Sequence, residues 1–439
     1  MKKFLTAAIL LAAAVAAAED AKKTIDNNDA GSVNQDVTAT VKVTAGMMME
    51  EALEKYRVER KIAAYGTPNA AGTVYFTGTA LVAANVNSPD FIKSRSAAYQ
   101  KAYMDAIANY VMDRTGREVI STIRQEFGDN STNAAAAPVD LKDARTTLER
   151  KADALEEAEL DKKLLAAGVD PKSCADKSFA AKKEIYCNAI LQSSIRKAFG
   201  SAAGCLPVQT FETRTADGTY CIGVVVRNDA VCTEVARAIS LKKRPVLSST
   251  SGISAADALP SPEEMITQFG VRLFFDENGE PALLSFAQWG SSYRGNNSRE
   301  MERADRHALT QAERIADLQL TTFINSTANI EQDSMSGEKE VSQMLFRQDG
   351  SAIRQDLVLF VDKWINTAEV TGSDSLVGRG TVYRKILIHP SGHRIAVVVR
   401  CWSFGKYDAM TKPAPKKSAP QTPVKQETPG VRKGRTYDF

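Results

Sequence analysis

Three histidines are the scarcest chemically versatile side chains in this 439-residue chain. Two of them, His389 and His393, flank the turn Pro390-Ser391-Gly392. Imidazoles placed like this can share a metal ion, but no carboxylate or thiol in the same turn completes a ligand set. The expectation is therefore two solvated hairpin residues. His307 sits beside Arg303 and Arg306 and reads as an exposed helix-face residue.

The six cysteines are Cys174, Cys187, Cys205, Cys221, Cys232 and Cys401. None forms a CxxC pair, which disfavours zinc and thioredoxin-like chemistry. An even count in an oxidising compartment points to disulfides. Cys205 and Cys232 lie at comparable distances from a tight turn at Asp217-Gly218, so they are expected to clamp a hairpin base. Cys174 and Cys187 would close a short loop, a bridge worth about 3 kcal/mol by chain entropy. Cys221 and Cys401 have two readings, a bridge between distant segments or two buried free thiols.

Acidic pairs such as Glu156-Glu157 and Glu263-Glu264 are read as helix-surface or capping charge. Tyr65, Tyr75, Trp289, Tyr293 and Trp402 could line a glycan or peptide groove, although core and hairpin packing is the ordinary role of such rings. The sequence contains no GxSxG, HExxH, Walker A or dinucleotide fingerprint. No catalytic residue, metal ligand or cofactor is assigned.

The ends of the chain speak to location. Lys2 and Lys3 precede an apolar run from Phe4 to Ala18 that closes in Ala16-Ala17-Ala18. This is the pattern of a cleavable secretory signal over 1–18, too short to span a bilayer with ease. The mature chain is expected in the periplasm or secreted, with no transmembrane segment after cleavage. From Lys412 onward there are seven basic and two acidic residues, while the whole chain carries only +3. Nucleic-acid binding needs concentrated positive charge, so the body is no nucleic-acid binder. The tail residues Lys416, Lys417, Lys425, Arg432, Lys433 and Arg435 are candidates for contact with an anionic envelope polymer.

These residues need a frame, and the pattern predicts one used twice. In the first copy a strand over 73–82 precedes Ser88-Pro89, read as cap and first helical residue. A helix then runs from Pro89 to about Gln125 with Ala98, Ala102 and Ala106 on one face. In the second copy a hairpin (271–275 and 282–289) precedes Asn297, which caps a helix to about Ser326. There Ala304, Ala308, Ala312 and Ala316 recur every four residues, so they share a face. Each copy closes with a hairpin, 207–214 with 220–228 and 380–388 with 394–402. The closing strands share Ile-[Gly/Ala]-Val-Val-Val-Arg after a glycine turn.

The fold class is α+β, with two similar domains, each a small, mainly antiparallel sheet packed by a long helix. The boundaries are a poorly ordered 19–45, a first repeat over 46–232, a linker over 233–260, a second repeat over 261–406 and a Pro/Lys-rich tail over 407–439. A helix over 47–63 opens the first repeat. That repeat also carries a helical insertion over 140–200, in which Leu141, Ala144, Leu148, Leu155 and Ala158 form an approximate heptad stripe. The stripe is expected to pack on its own domain rather than on a partner helix.

The segments Arg95–Tyr110 and Arg303–Ala316, with the two VVVR strands, resemble the N-terminal domain of flagellar assembly protein T and a related family of small envelope lipoproteins. The resemblance implies a non-enzymatic assembly or scaffold part of the cell envelope. No functional residue carries over, and this chain differs by its duplication, its insertion and the lack of a lipid-acceptor cysteine. A periplasmic hydrolase with an unrecognised site is the alternative.

Overall fold

A computed structural model of the chain describes residues 44–128, 139–291, 293–325 and 377–411. The signal segment, nearly all of 19–45 and the basic tail residues lie outside this set.

The first repeat opens with α1 (Ala45–Glu59), followed by β1 (Val74–Leu81) and the long α2 (Phe91–Phe127). The insertion follows as α3 (Leu141–Asp153), α4 (Glu157–Ala166) and α5 (Phe179–Ser201). The hairpin β2 (Leu206–Arg214) and β3 (Tyr220–Asn228) closes the sheet, in the order β1-β3-β2. After α6 (Ala230–Ser240) and the short α7 (Pro262–Met265), the second repeat contributes β4 (Gly270–Phe275), β5 (Pro281–Gly290) and α8 (Ser298–Asn325). It ends in β6 (Arg379–Ile388), β7 (Arg394–Trp402) and α9 (Phe404–Thr411), with sheet order β4-β5-β7-β6. Among the described residues every strand pairing is antiparallel. The chain is thus mixed α and β, with two antiparallel sheets each packed by a long helix.

The two repeats correspond through the hydrogen bonds of their turns. Thr215 N–H bonds Thr219 O and Gly218 N–H bonds Thr215 O; His389 N–H bonds His393 O and Gly392 N–H bonds His389 O. Both closing hairpins also carry an irregularity near their first strand's start, at Pro207/Gln209 and at Thr381/Tyr383. Turn and bulge both equate Gly218 with Gly392 and Val224 with Val398. The shared Ile-x-Val-Val-Val-Arg string instead equates Val224 with Val397. The string is therefore one residue out of register with the structure, a slip that exchanges the two faces of a strand. Side-chain placement agrees with the turn. Ile222, Val224 and Val226 lie in the core that holds the alanines of α2, while Ala396 and Val398 pack with Ala308 and Ala312 of α8.

The opposite faces are covered differently. Cys221 and Val225 meet Met49 and Leu53 of α1. Ile395, Val397, Val399, Leu284 and Phe286 instead join the central core with residues of the first repeat. The first turns of α2 press on this second sheet: a Cβ on Gly290 would lie 3.0 Å from Ile92 Cβ. The described residues belong to one compact unit beginning at Thr44.

Several expectations need correction. The N-cap of α2 is Asp90, without a side-chain cap bond; Ser88 Oγ instead accepts the Asp90 N–H at 3.3 Å. The heptad stripe is broken, because the chain leaves the helix between Asp153 and Glu157. Leu141, Ala144, Leu148 and Leu155 are buried, but Ala158 is exposed and Leu160 and Leu164 fill the interior in its place. The segment 233–260 is no free linker. Its start belongs to α6, where Asp229 Oδ1 accepts the Cys232 N–H at 2.8 Å as a cap, and Val235, Ala236 and Ile239 are buried with Leu320 and Trp402 of the second repeat. Its remainder follows the β4–β5 turn, with Ser249 N–H bonded to Gly279 O and Ile253 N–H to Phe275 O.

Candidate functional site

A buried network of polar side chains lies where the repeats meet. Arg95, in the second turn of α2, is fully buried. A buried guanidinium must have its donors met, since an unpaired charge inside a protein is very costly. Arg95 Nε donates to Glu212 Oε1 at 2.9 Å, Nη1 to Gln288 Oε1 at 2.6 Å and Nη2 to Ile266 O at 2.7 Å. Its guanidinium also lies 4.7 Å from the centre of the Phe269 ring. Gln288, buried on β5, donates in turn to Met265 O at 2.9 Å and Gln268 O at 2.7 Å. One arginine therefore links α2, β2, β5 and the α7–β4 segment.

Beside it, Phe91 opens α2 and stands between Tyr220 of β3 and the two imidazoles of the β6–β7 turn. The ring separations are 4.9 Å to Tyr220, 5.8 Å to His389 and 5.6 Å to His393. His389 and His393 are thus buried against the first repeat rather than solvated. His389 Nδ1 accepts the Ser391 N–H at 3.1 Å, which leaves its proton on Nε2. His393 Nε2 lies 2.8 Å from Ser88 O, and Arg294 approaches the same nitrogen. Burial, and then the positive charge of Arg95, push His389 down to about 4, against the opposing pull of Glu212. A neutral ring held this way is a packing element at neutral pH. Among the described residues no group of three His, Cys, Asp or Glu side chains could hold a metal ion. His307 is exposed on α8, as expected.

No candidate pair is bonded, although Cys205 and Cys232 are neighbours: a Cβ on the adjoining Gly204 would lie 2.5 Å from the Cys232 carbonyl carbon. All six cysteines are free and buried. Cys221 faces α1 while Cys401 faces the central core, so the two point into different interiors. Cys205 Sγ accepts from Asn228 Nδ2 at 3.5 Å, and Cys232 belongs to the core beneath α6. Cys174 Sγ approaches Pro171 O at 3.4 Å, and Cys187 is buried on α5. Burial pushes the Cys187, Cys205 and Cys232 thiols up to about 12. A buried thiol with so little thiolate is a poor nucleophile at neutral pH.

The five aromatics do not form a groove. Tyr65 and Tyr75 pack beside the α1 core, Trp289 lies against the α8 core, and Trp402 is fully buried with Nε1 donating to Val377 O at 2.9 Å. Tyr293 Oη accepts the Asn297 N–H at 2.9 Å and so braces the start of α8. Glu264 closes a capping box with Ser261, and Glu157 pairs with Lys182 at 3.2 Å. The residues that sequence reasoning missed are Arg95, Glu212 and Gln288. Their only signal was an arginine in the alanine-lined stretch of a helix, which reads equally as surface charge.

Residues 145–241 match the family model of a domain of unknown function, DUF6844. The match runs from α3 through α6 and covers less than a quarter of the chain. No curated protein matches. The crystal structure of a hypothetical protein from Francisella tularensis is similar in fold, with a TM-score of 0.51 and 22% identity, over 85% of this chain and 95% of that chain. Among the described residues no helix is long and apolar enough to cross a membrane.

Proposed function

We propose that the chain is a non-catalytic binding or assembly module of the cell envelope, exported to the periplasm or secreted. The observation that carries this reading is the junction of the repeats. Arg95, Glu212, Gln288, His389 and His393 are the side chains best suited to chemistry, and they are engaged in joining one repeat to the other. A body fastened through its centre keeps its outer faces in fixed relation, as a scaffold requires. The basic tail would add a contact to anionic envelope polymers, screened by salt.

The hydrolase alternative needs a carboxylate free to move a proton. Two solvent-lined carboxylates of the first repeat, Asp113 and Asp229, are not free in this sense. Asp113 accepts from Arg117 Nε at 2.6 Å and from Val139 N–H at 2.9 Å. Burial alone would raise the Asp229 carboxyl, but the Cys232 N–H and Arg227 outweigh it and hold it below the ordinary carboxylate range.

The test is photo-cross-linking in cells from Val58, Leu165 and Val246, exposed side chains on different elements, together with fractionation. Discrete adducts with envelope components in the periplasmic or secreted fraction are expected. A cytoplasmic chain, or turnover of a chromogenic ester, peptide or glycoside that is lost in Asp113→Asn, would overturn the proposal.

A further inference from the structure

Where α2, the end of β3 and the start of α6 converge, the surface opens into a cleft of about 440 Å³. This is the size range that encloses a small organic molecule. Val74 and Tyr110 give it an apolar wall, and Arg114 and Arg237 contribute guanidinium groups from α2 and α6. The lining charges look balanced, because Asp113, Asp229 and Glu234 are also present. The hydrogen bonds shift that balance, because of these three carboxylates only Glu234 is paired with one of the two arginines. Asp113 is taken up by Arg117 and Val139, and Asp229 by the Cys232 N–H at 2.8 Å and Arg227 at 2.5 Å. The Tyr110 hydroxyl donates to Ser201 O at 2.9 Å, so the wall brings no further anion.

The two arginines are held far more loosely. Arg114 reaches Glu118 at 3.5 Å with its side chain 45% exposed. Arg237 reaches Glu234 at 3.3 Å with its side chain 60% exposed. Exposed pairs of this kind contribute little, and a ligand oxyanion can replace them. A guanidinium fork suits a carboxylate or a phosphate, and two forks on separate helices can grip one head group.

We propose that this cleft binds a small organic anion, a carboxylate or phosphate ester with an apolar body, its head group between Arg114 and Arg237 and its body against Val74 and Tyr110. The site is independent of the assembly reading above and stands whether or not that reading does. Calorimetric titration of the full mature chain with benzoate and with phenyl phosphate tests it, with benzamide and benzylammonium as neutral and cationic counterparts. Saturable binding of at least one anion is expected, with benzamide weaker by about tenfold or more and the anion weakened at least as much in Arg114→Gln/Arg237→Gln. The preferred anion separates carboxylate from phosphate ester. If the double variant does not fold, each single variant is read in its place. Equal binding of the uncharged or cationic compound, unchanged affinity in the variants, or no saturable binding of either anion would overturn the proposal.

Discussion

The two repeats place the same kind of helix on the same face of the same kind of sheet, yet hold it there by different means. In the first, α2 lies directly on the backbone of β1. A Cβ on Gly78 would come within 2.0 Å of Ala102 O and 2.4 Å of Ala106 N. The turn-based alignment puts Ala287 at the matching place in β5, and α8 sits over a side chain there. In the second repeat the helix is pinned by charge. Arg400 Nε donates to Asp317 Oδ1 at 2.9 Å, Arg384 Nε to Glu313 at 3.0 Å and Arg394 Nε to Asp305 at 3.2 Å. Surroundings explain the contrast. Helix α2 is enclosed by its own sheet, by α3 and α5, and at its start by the second sheet, so few of its side chains are exposed. Helix α8 has a solvent face, and its polar flanks can reach arginines on the strands.

The largest effect should come from the residue that joins the two modes. Arg95→Ala leaves Glu212 and Gln288 without their partner and is expected to cost about 3–5 kcal/mol in urea unfolding. Arg95→Met combined with Glu212→Leu should recover much of that loss. Next is Gly78→Ala, where the added methyl overpacks backbone against backbone, at about 1–3 kcal/mol. Its counterpart Ala287→Gly should cost only about 1 kcal/mol. Equal effects at the two sites would remove the distinction between the helices.

Acid should act at the junction. The unfolded ring of His389 takes a proton near 6.5, whereas the folded ring resists down to about 4. Between those values the unfolded state binds more protons, so stability falls as pH falls through that window. Thermal melts should show this decline, and His389→Gln should flatten it. The smallest effect is expected from Arg400→Ala, a mostly buried ion pair whose Asp317 keeps Arg379 as a second partner, at roughly 1 kcal/mol, with a loss that shrinks in high salt.

Much of this frame was legible from residue order. The hairpin turns, the alanine stripes and the Asn297 cap announced themselves locally, because turn chemistry and helical spacing act over a few residues. The register of the duplication was not legible. A run of three valines reads the same when shifted by one, and only the turn glycines and the bulges fix which valine faces which helix. The start of α6 was hidden by its neighbours Lys242-Lys243-Arg244-Pro245, whose loop character was extended too far towards the N-terminus. The junction was invisible for a different reason. Arg95, Glu212 and Gln288 are far apart in sequence, and no periodicity ties an arginine on one helix to a glutamine on a strand of the other repeat. His389 and His393 looked solvated because their turn is polar, while the ring that covers them, Phe91, belongs to the first repeat.

Intrinsic probes divide neatly between the repeats. Trp289 and Trp402 belong to the second, as does Cys401, Trp364 lies outside the described residues, and Cys174, Cys187, Cys205, Cys221 and Cys232 all precede it. Urea unfolding of the unreduced chain, followed in parallel by tryptophan fluorescence and by thiol labelling, reads both at once. A single body fastened through Arg95 predicts coincident transitions and six reactive thiols at their end. Labelling of the first five cysteines well before or after the fluorescence change would contradict it.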